Sequence, residues 1–205
     1  MRSCKSSCCF YFSFMNLHPV QSQVHISRAK TDGELSAILN LQQQNLPHNI
    51  SREEAIEQGF VTVKHSFDVL RRMNEKHSHA IAKSGDAVIG YALVMTKEFR
   101  NEIPVLIPLF EMIDKLKIDS QPLSAANYFV MGQICIAKSF RGLGIFDALY
   151  AHLKSSLQND FNYCITEVAV RNRRSIRAHR RVGFVTVHVY TDPRGEEWEI
   201  MVWKW

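Results

Sequence analysis

The sequence predicts a single α/β domain of α+β type, a mixed sheet flanked by helices, and three observations carry that prediction. Strand-like and helix-like stretches alternate along most of the chain. Tyr128 to Ala137 is a nearly continuous apolar run, as expected of a strand covered on both faces of a sheet. That run turns through Arg141-Gly142-Leu143-Gly144 into a helix, and a second apolar strand, Tyr163 to Val170, leads into another helix.

Composition agrees with one soluble core. The chain has 205 residues, 46% hydrophobic and 22% charged, enough for a single well-filled interior. A net charge of +5 suits an anionic ligand or partner without choosing between a nucleotide, nucleic acid and a membrane surface. The five cysteines (Cys4, Cys8, Cys9, Cys135 and Cys164) show no metal-ligand spacing backed by histidine. Their odd number and scatter predict a reducing compartment, hence a cytoplasmic protein without a metal.

The elements follow in order. Residues 1–20 resemble a short signal peptide, with Arg2 and Lys5 before the apolar run Cys8 to Met15. The run is too short to span a bilayer and no small-residue cleavage site follows, so a disordered leader or a start at Met15 is expected. The domain proper is taken as 21–205. Val24 to Arg28 alternates as a strand, and Thr31-Asp32-Gly33-Glu34 caps a helix carrying Leu35, Ile38, Leu39 and Leu41. Ser51-Arg52-Glu53-Glu54 has the form of a capping box, predicting a short helix that ends at Gly59. A helix is expected at Phe67 to Glu75, and Gly85-Asp86 marks a hairpin between His79–Ser84 and Ala87–Met95. Ile103 to Leu116 reads as an inserted helix, followed by a polar loop. After the two strand–helix units, Phe184 to Tyr190 and Trp198 to Trp203 close the chain around Asp192-Pro193-Arg194-Gly195. The tryptophans Trp198, Trp203 and Trp205 suggest an exposed aromatic edge suited to a homodimer.

The first turn has the chemistry of a phosphate cradle. A helix N-terminus offers unpaired N–H groups and the positive end of its dipole. Gly142 and Gly144 permit close backbone approach, Arg141 adds charge, and Ile145 and Phe146 open an amphipathic helix with Leu149 and Leu153. No Lys-Ser/Thr follows the glycines and no third glycine completes a dinucleotide fingerprint, which argues against both nucleotide motifs. A plain strand–helix turn is the ordinary alternative. The second unit sets Asn172 as a cap before a helix containing Ser175 and His179, ending in Gly183-Phe184.

Together these two units resemble the acetyl-CoA-binding core of the GNAT N-acetyltransferase superfamily, over Tyr128 to Trp205, with the cofactor core at about 128–184. The family's turn reads Gln/Arg-x-x-Gly-x-Gly/Ala, and the leading position here is Ser139. Its second element reads Asn-x-x-Ala/Ser-x-x-x-Tyr-x-x-x-Gly-Phe, with His179 in place of the tyrosine. The resemblance implies a mainly antiparallel mixed sheet in which two central strands splay apart. It implies that the backbone of Ile134, Cys135 and Ile136 pairs with the pantetheine arm, and that Arg141, Gly142, Leu143, Gly144, Ile145 and Phe146 hold the pyrophosphate. Asn172 and Ser175 would face the pantetheine, and His179 would approach the sulfur.

The implied reaction is transfer of acetyl from acetyl-CoA to a primary amine by direct attack in a ternary complex. His179 is then a candidate general acid for the departing thiolate, or else a packing residue. Glu167, mid-strand in an apolar run, is the sharpest candidate base, with an ion-paired or solvent-facing strand acid as the alternative. Gln133 would orient substrate or water. Arg171, Arg173, Arg174, Arg177, Arg180 and Arg181 crowd one helix and its lead-in; one or two would serve CoA phosphates, the rest forming a solvated face. Nucleic-acid binding through that helix is disfavoured because no aromatics interleave it. A CoA-binding or acidic-partner-binding module without turnover is the rival reading. The acceptor, a small-molecule or protein amine, is left to Gln44–Val63 and Glu98–Leu123. The inserted helix is expected to wall its pocket, and Glu98, Glu102, Glu111 and Asp114 would suit a cationic amine, a solvated helix face explaining them equally well.

Overall fold

In the computed structural model, which describes residues 23–51, 53 and 61–205, helices and strands follow the predicted order closely. The strands are β1 (Val24–Arg28), β2 (Ala80–Ser84), β3 (Ala87–Met95), β4 (Lys117–Ile118), β5 (Gln121–Pro122), β6 (Tyr128–Ile136), β7 (Tyr163–Ala169), β8 (Val185–Thr191) and β9 (Glu197–Lys204). The helices are α1 (Asp32–Gln44), α2 (Phe67–Lys76), α3 (Ile107–Lys115), α4 (Ile145–Leu157) and α5 (Arg173–Val182). A seven-stranded sheet has the order β1-β2-β3-β6-β7-β9-β8, and β4-β5 is a separate two-stranded hairpin. Neighbours in the large sheet are antiparallel except β6 and β7.

Local signals set the helix ends. Thr31 accepts from the Glu34 N–H at 3.2 Å while Glu34 reaches back to the Thr31 N–H, so the first turn of α1 has its donors satisfied. Asn172 caps α5 by accepting from the Ser175 N–H at 3.1 Å. The helix ends at Gly183, whose φ of 118° is left-handed. There the Phe184 N–H returns to the His179 carbonyl at 3.1 Å.

Both faces of β6 are covered, as its apolar run requires. Phe129 and Met131 join a core under α4 and α5 with Leu149, Tyr150, Leu153 and Phe184. Tyr128 and Val130 join the opposite core with Leu109, Phe110 and Ile113 of α3. Cys135 packs with Tyr91 and Leu93 against Leu35, Ile38 and Leu41 of α1. Each large side chain so buried contributes about 1.5–3 kcal/mol of apolar transfer energy.

The splay follows from pairing. β6 and β7 pair only at Tyr128–Tyr163, Phe129–Cys164 and Val130–Ile165. Beyond that point β6 stays on β3 as far as Ile136, and β7 stays on β9 to Ala169. The register on β3 slips where Leu93 faces Gln133 but Val94 faces Met131. Gly132 is the extra residue of this bulge, which bends β6 at the mouth of the wedge.

Three expectations change. The polar loop after α3 is the β4–β5 hairpin, turning at Asp119 and Ser120 with φ of 50° and 66°. The inserted helix begins as a 3-10 turn, Pro104–Leu106, before α3, because Pro104 and Pro108 suit first turns and not interiors. The tryptophan strand is not an edge. β9 lies between β7 and β8, and Trp203 and Trp205 meet edge to face with ring centroids 5.5 Å apart and pack on Phe184 and Phe129. The edge is β8, where Val185 is 61% exposed. The leader at 1–20 and nearly all of the helix expected from Ser51 to Gly59 lie outside the described residues.

Candidate active site

Two recesses open at the wedge between β6 and β7. A cleft of about 480 Å³ runs between the end of β6, the Arg141–Gly144 turn and α5. A smaller cavity of about 100 Å³ lies deeper, against Glu167, Met131 and Trp198. Val61, Ile134, Asn172 and Ser175 wall both, so the recesses meet there.

The turn is shaped for a close ligand. Gly142 and Gly144 have φ of 82° and 77°, and no atom stands within 4 Å of where a Cβ on either would be. Both thus adopt a conformation costly to other residues while leaving the backbone bare at the start of α4. Arg141 ties the turn down: its Nε donates to the Ile136 carbonyl at 3.1 Å and its Nη2 to Asn45 Oδ1 at 2.7 Å. Arg174 and Arg177 of α5 face it across the cleft. Ile145 and Phe146 line the near wall, whereas the Leu143 side chain is 57% exposed and stands outside.

The open edge of β6 presents its backbone selectively. Ala137 donates to the Ile89 carbonyl at 2.8 Å, and the Cys135 carbonyl also faces β3, 3.3 Å from where a Cβ on Gly90 would be. Alternation along the strand therefore turns the groups of Ile134 and Ile136 to the wedge. Cys135 contributes its side chain to the cleft wall, with burial pushing its thiol up to about 11. Asn172 lines both recesses, but its side-chain oxygen is occupied as the cap of α5.

His179 lies at the same junction and is only 2% exposed. Its Nδ1 is 2.8 Å from the Ser175 carbonyl and its Nε2 is 2.8 Å from the Tyr150 hydroxyl. A carbonyl only accepts, so Nδ1 carries the proton and Nε2 receives the tyrosine O–H. Burial lowers the ring to about 4, so the imidazole is neutral near pH 7.

Glu167 lines the deeper cavity and accepts from the Tyr190 hydroxyl at 2.7 Å. Burial raises its carboxyl to about 7, opposed by the tyrosine hydrogen bond. Gln133 also lines this cavity, yet its polar atoms are engaged within the protein. Its Oε1 accepts from Tyr91 at 2.5 Å and Gln42 at 2.7 Å, and its Nε2 donates to the Val63 carbonyl at 3.0 Å.

The arginine cluster divides. Arg181 pairs with Asp147 at 2.7 Å, Arg180 with Glu199 at 3.0 Å and Arg171 with Glu196 at 2.9 Å. Arg174 and Arg177 line the cleft wall. Asn45, Thr62, Leu106 and Leu109 lie in the two segments that sequence reasoning gave to the acceptor side without singling them out; Trp198 was missed as a wall residue, because it comes from a distant strand with no shared motif. Among the described residues, no cluster of His, Cys, Asp and Glu could hold a metal, and no helix is long and apolar enough to cross a membrane.

A bare-backbone turn at the start of α4, a splayed parallel pair and a half-buried acid in the deeper recess are set on a mixed, mostly antiparallel sheet flanked by helices. The chain belongs to the acetyltransferase (GNAT) family, whose model matches residues 35–184. Solved structures share the fold at low identity. The ribosomal-protein-S18-alanine N-acetyltransferase of Escherichia coli is 14% identical, with a TM-score of 0.57 over 89% of this chain and 94% of that one. Salmonella typhimurium yncA, solved with its cofactor acetyl-CoA, is 13% identical, with a TM-score of 0.56 over 88% and 93%. A chain of the NatC complex, solved with Gag peptide and CoA, is 14% identical, with a TM-score of 0.61 over 89% and 99%. No curated protein is detectably similar in sequence.

Proposed function

We propose that this protein is an N-acetyltransferase moving acetyl from acetyl-CoA to a primary amine by direct attack in a ternary complex. The observation that carries the reading is the meeting of two recesses at one junction, a phosphate-suited cleft on one side and a cavity holding Glu167 on the other. Acetyl-CoA supplies the activated thioester.

The protein's own groups do the rest. Gly142 and Gly144 expose helix N–H groups to phosphate, Arg141, Arg174 and Arg177 add charge, and Ile134 with the Ile136 N–H offers backbone to an amide-bearing arm, the Ile136 carbonyl being held by Arg141. Glu167, raised to about 7, takes a proton from the acceptor ammonium and leaves the neutral amine free to attack. The new C–N bond forms as the C–S bond breaks, and the amine's second proton ends on the thiol. A thiolate with a pKa near 8.5 is a tolerable leaving group, so a strong acid is not required. His179 serves as a neutral ring beside that sulfur, holding Ser175 and the start of α5 in place; its Nδ1–H is the one proton it has to offer. Most of the acceleration is assigned to positioning.

The rival is a family member that binds CoA without turnover, and the doubly engaged His179 is what favours it. Calorimetric titration with acetyl-CoA, followed by thiol release against an amine panel, separates the two. Saturable binding with release supports the enzyme. Binding without release to any amine supports the module.

A further inference from the structure

Leu106 and Leu109 from the inserted segment close one side of the deeper cavity, with Val130 and Met131 of β6 at its back and Trp198 of β9 opposite. Among the described residues lining it, Glu167 is the only carboxylate. The acids of the insertion are directed elsewhere. Glu102 is bound by Arg72, Asp114 by Arg100 at 2.7 Å, and Glu98 by Lys76 at 3.4 Å; none of them, nor Glu111, borders the cavity. Asp192, near Glu167, is held below its ordinary range by Arg194 and by backbone N–H groups, and it also accepts from Trp198 Nε1 at 3.3 Å. It is spent on the β8–β9 turn and on orienting the indole.

We propose that the acceptor is a monoamine carried on an apolar group, its nitrogen at Glu167 and its hydrocarbon between Leu106, Leu109 and Trp198. This rests on the acetyltransferase reading and narrows it. A second ammonium among those walls would be a buried charge with no counter-ion among the described lining residues, since their one carboxylate is already used by the first. The insertion thus acts as an apolar wall, opposite to the role its acidic residues suggest from sequence alone.

The test uses the full chain with saturating acetyl-CoA and reads thiol release for methylamine, propylamine, pentylamine, putrescine and an alanine-initiated peptide. Each added methylene should raise kcat/KM about fourfold until the cavity is filled. Pentylamine and putrescine have the same number of heavy atoms, and pentylamine should be the better acceptor by at least about tenfold. Leu109→Glu should reverse that ratio by giving the second ammonium a partner. A flat alkylamine series, or putrescine or the peptide preferred by the wild-type protein, overturns the apolar acceptor while leaving acetyl transfer intact. Acetyl-CoA binding without release to any of these amines overturns both. The wild-type comparison decides the matter even if the variant does not fold.

Discussion

The Nε2 of His179 lies 2.8 Å from the hydroxyl oxygen of Tyr150, so the ring nitrogen left unprotonated by the Ser175 carbonyl on the other side is itself engaged. With Nδ1–H on the Ser175 carbonyl at 2.8 Å, Nε2 is an acceptor and the ring has no second proton to give. The position that the family fills with a tyrosine hydroxyl thus holds a ring backed by a tyrosine one layer deeper, on α4.

Tyr150→Phe removes the donor and leaves Nε2 buried without a partner. We expect a stability loss of about 1–3 kcal/mol in denaturant unfolding. If the tautomer matters for transfer, kcat also falls while KM for acetyl-CoA stays near the wild-type value. A full loss of stability with unchanged kcat would reduce His179 to packing.

Three buried histidines should make the fold acid-sensitive. Burial lowers His65 to about 4, His79 to about 3 and His179 to about 4. Each is depressed below its ordinary value, so the unfolded chain binds more protons once pH falls under about 6.5. Stability is therefore full above that pH and is lost progressively on the way down to the folded values. Unfolding free energy measured from pH 7.5 to 4.5 should drop steeply below about pH 6, and replacing His79 by a neutral residue that keeps the fold should flatten the slope.

Glu167 carries the opposite sign. Its carboxyl is raised from 4.5 to about 7 by burial, so its contribution to stability is present at low pH and lost as pH rises through 7. Glu167→Gln should then be more stable than wild type at pH 8, by on the order of 1–3 kcal/mol. As the base, Glu167 must be ionised, so kcat/KM should climb with pH through about 7 and then level. The variant should lose that limb and most of its activity. A variant with the wild-type pH profile would remove Glu167 from the mechanism.

Gly142→Ala and Gly144→Ala place a methyl in open space at a left-handed φ. Backbone strain should cost about 1–2 kcal/mol each. The added Cβ projects where a phosphate would approach, so acetyl-CoA affinity in calorimetry should fall by more than the stability loss explains. Unchanged affinity in both variants would mean that the turn is only a turn.

Local signals in the sequence were sufficient for most of the elements and for the turn that opens α4. Thr31 with Glu34, Asn172 with Ser175, and Gly183 with Phe184 act within four residues of one another, so spacing alone reveals them. The phosphate turn is equally local. The base candidate was legible too, because an acid inside an apolar strand stands out in any order of strands.

What tertiary structure decided is whatever depends on non-local register. The splay depends on where β6 stops pairing with β7, and that is set by a bulge at Gly132 against a strand some forty residues upstream. Placing β9 between β7 and β8 took the C-terminal tryptophans off the expected edge and set Trp203 and Trp205 against the core, because a returning hairpin inserts its last strand beside β7. The ion pairs of the insertion hold its acids away from the deeper cavity, which its apolar side chains line. The neutral state of His179 comes from its burial, and its Nε2 meets Tyr150, a residue 29 positions away whose hydroxyl reaches the ring only once α4 and α5 pack together. Hydrophobic period and capping chemistry act over one or two turns and can be read along the chain. Protonation, cavity lining and strand order arise from contacts that exist only after the chain has folded.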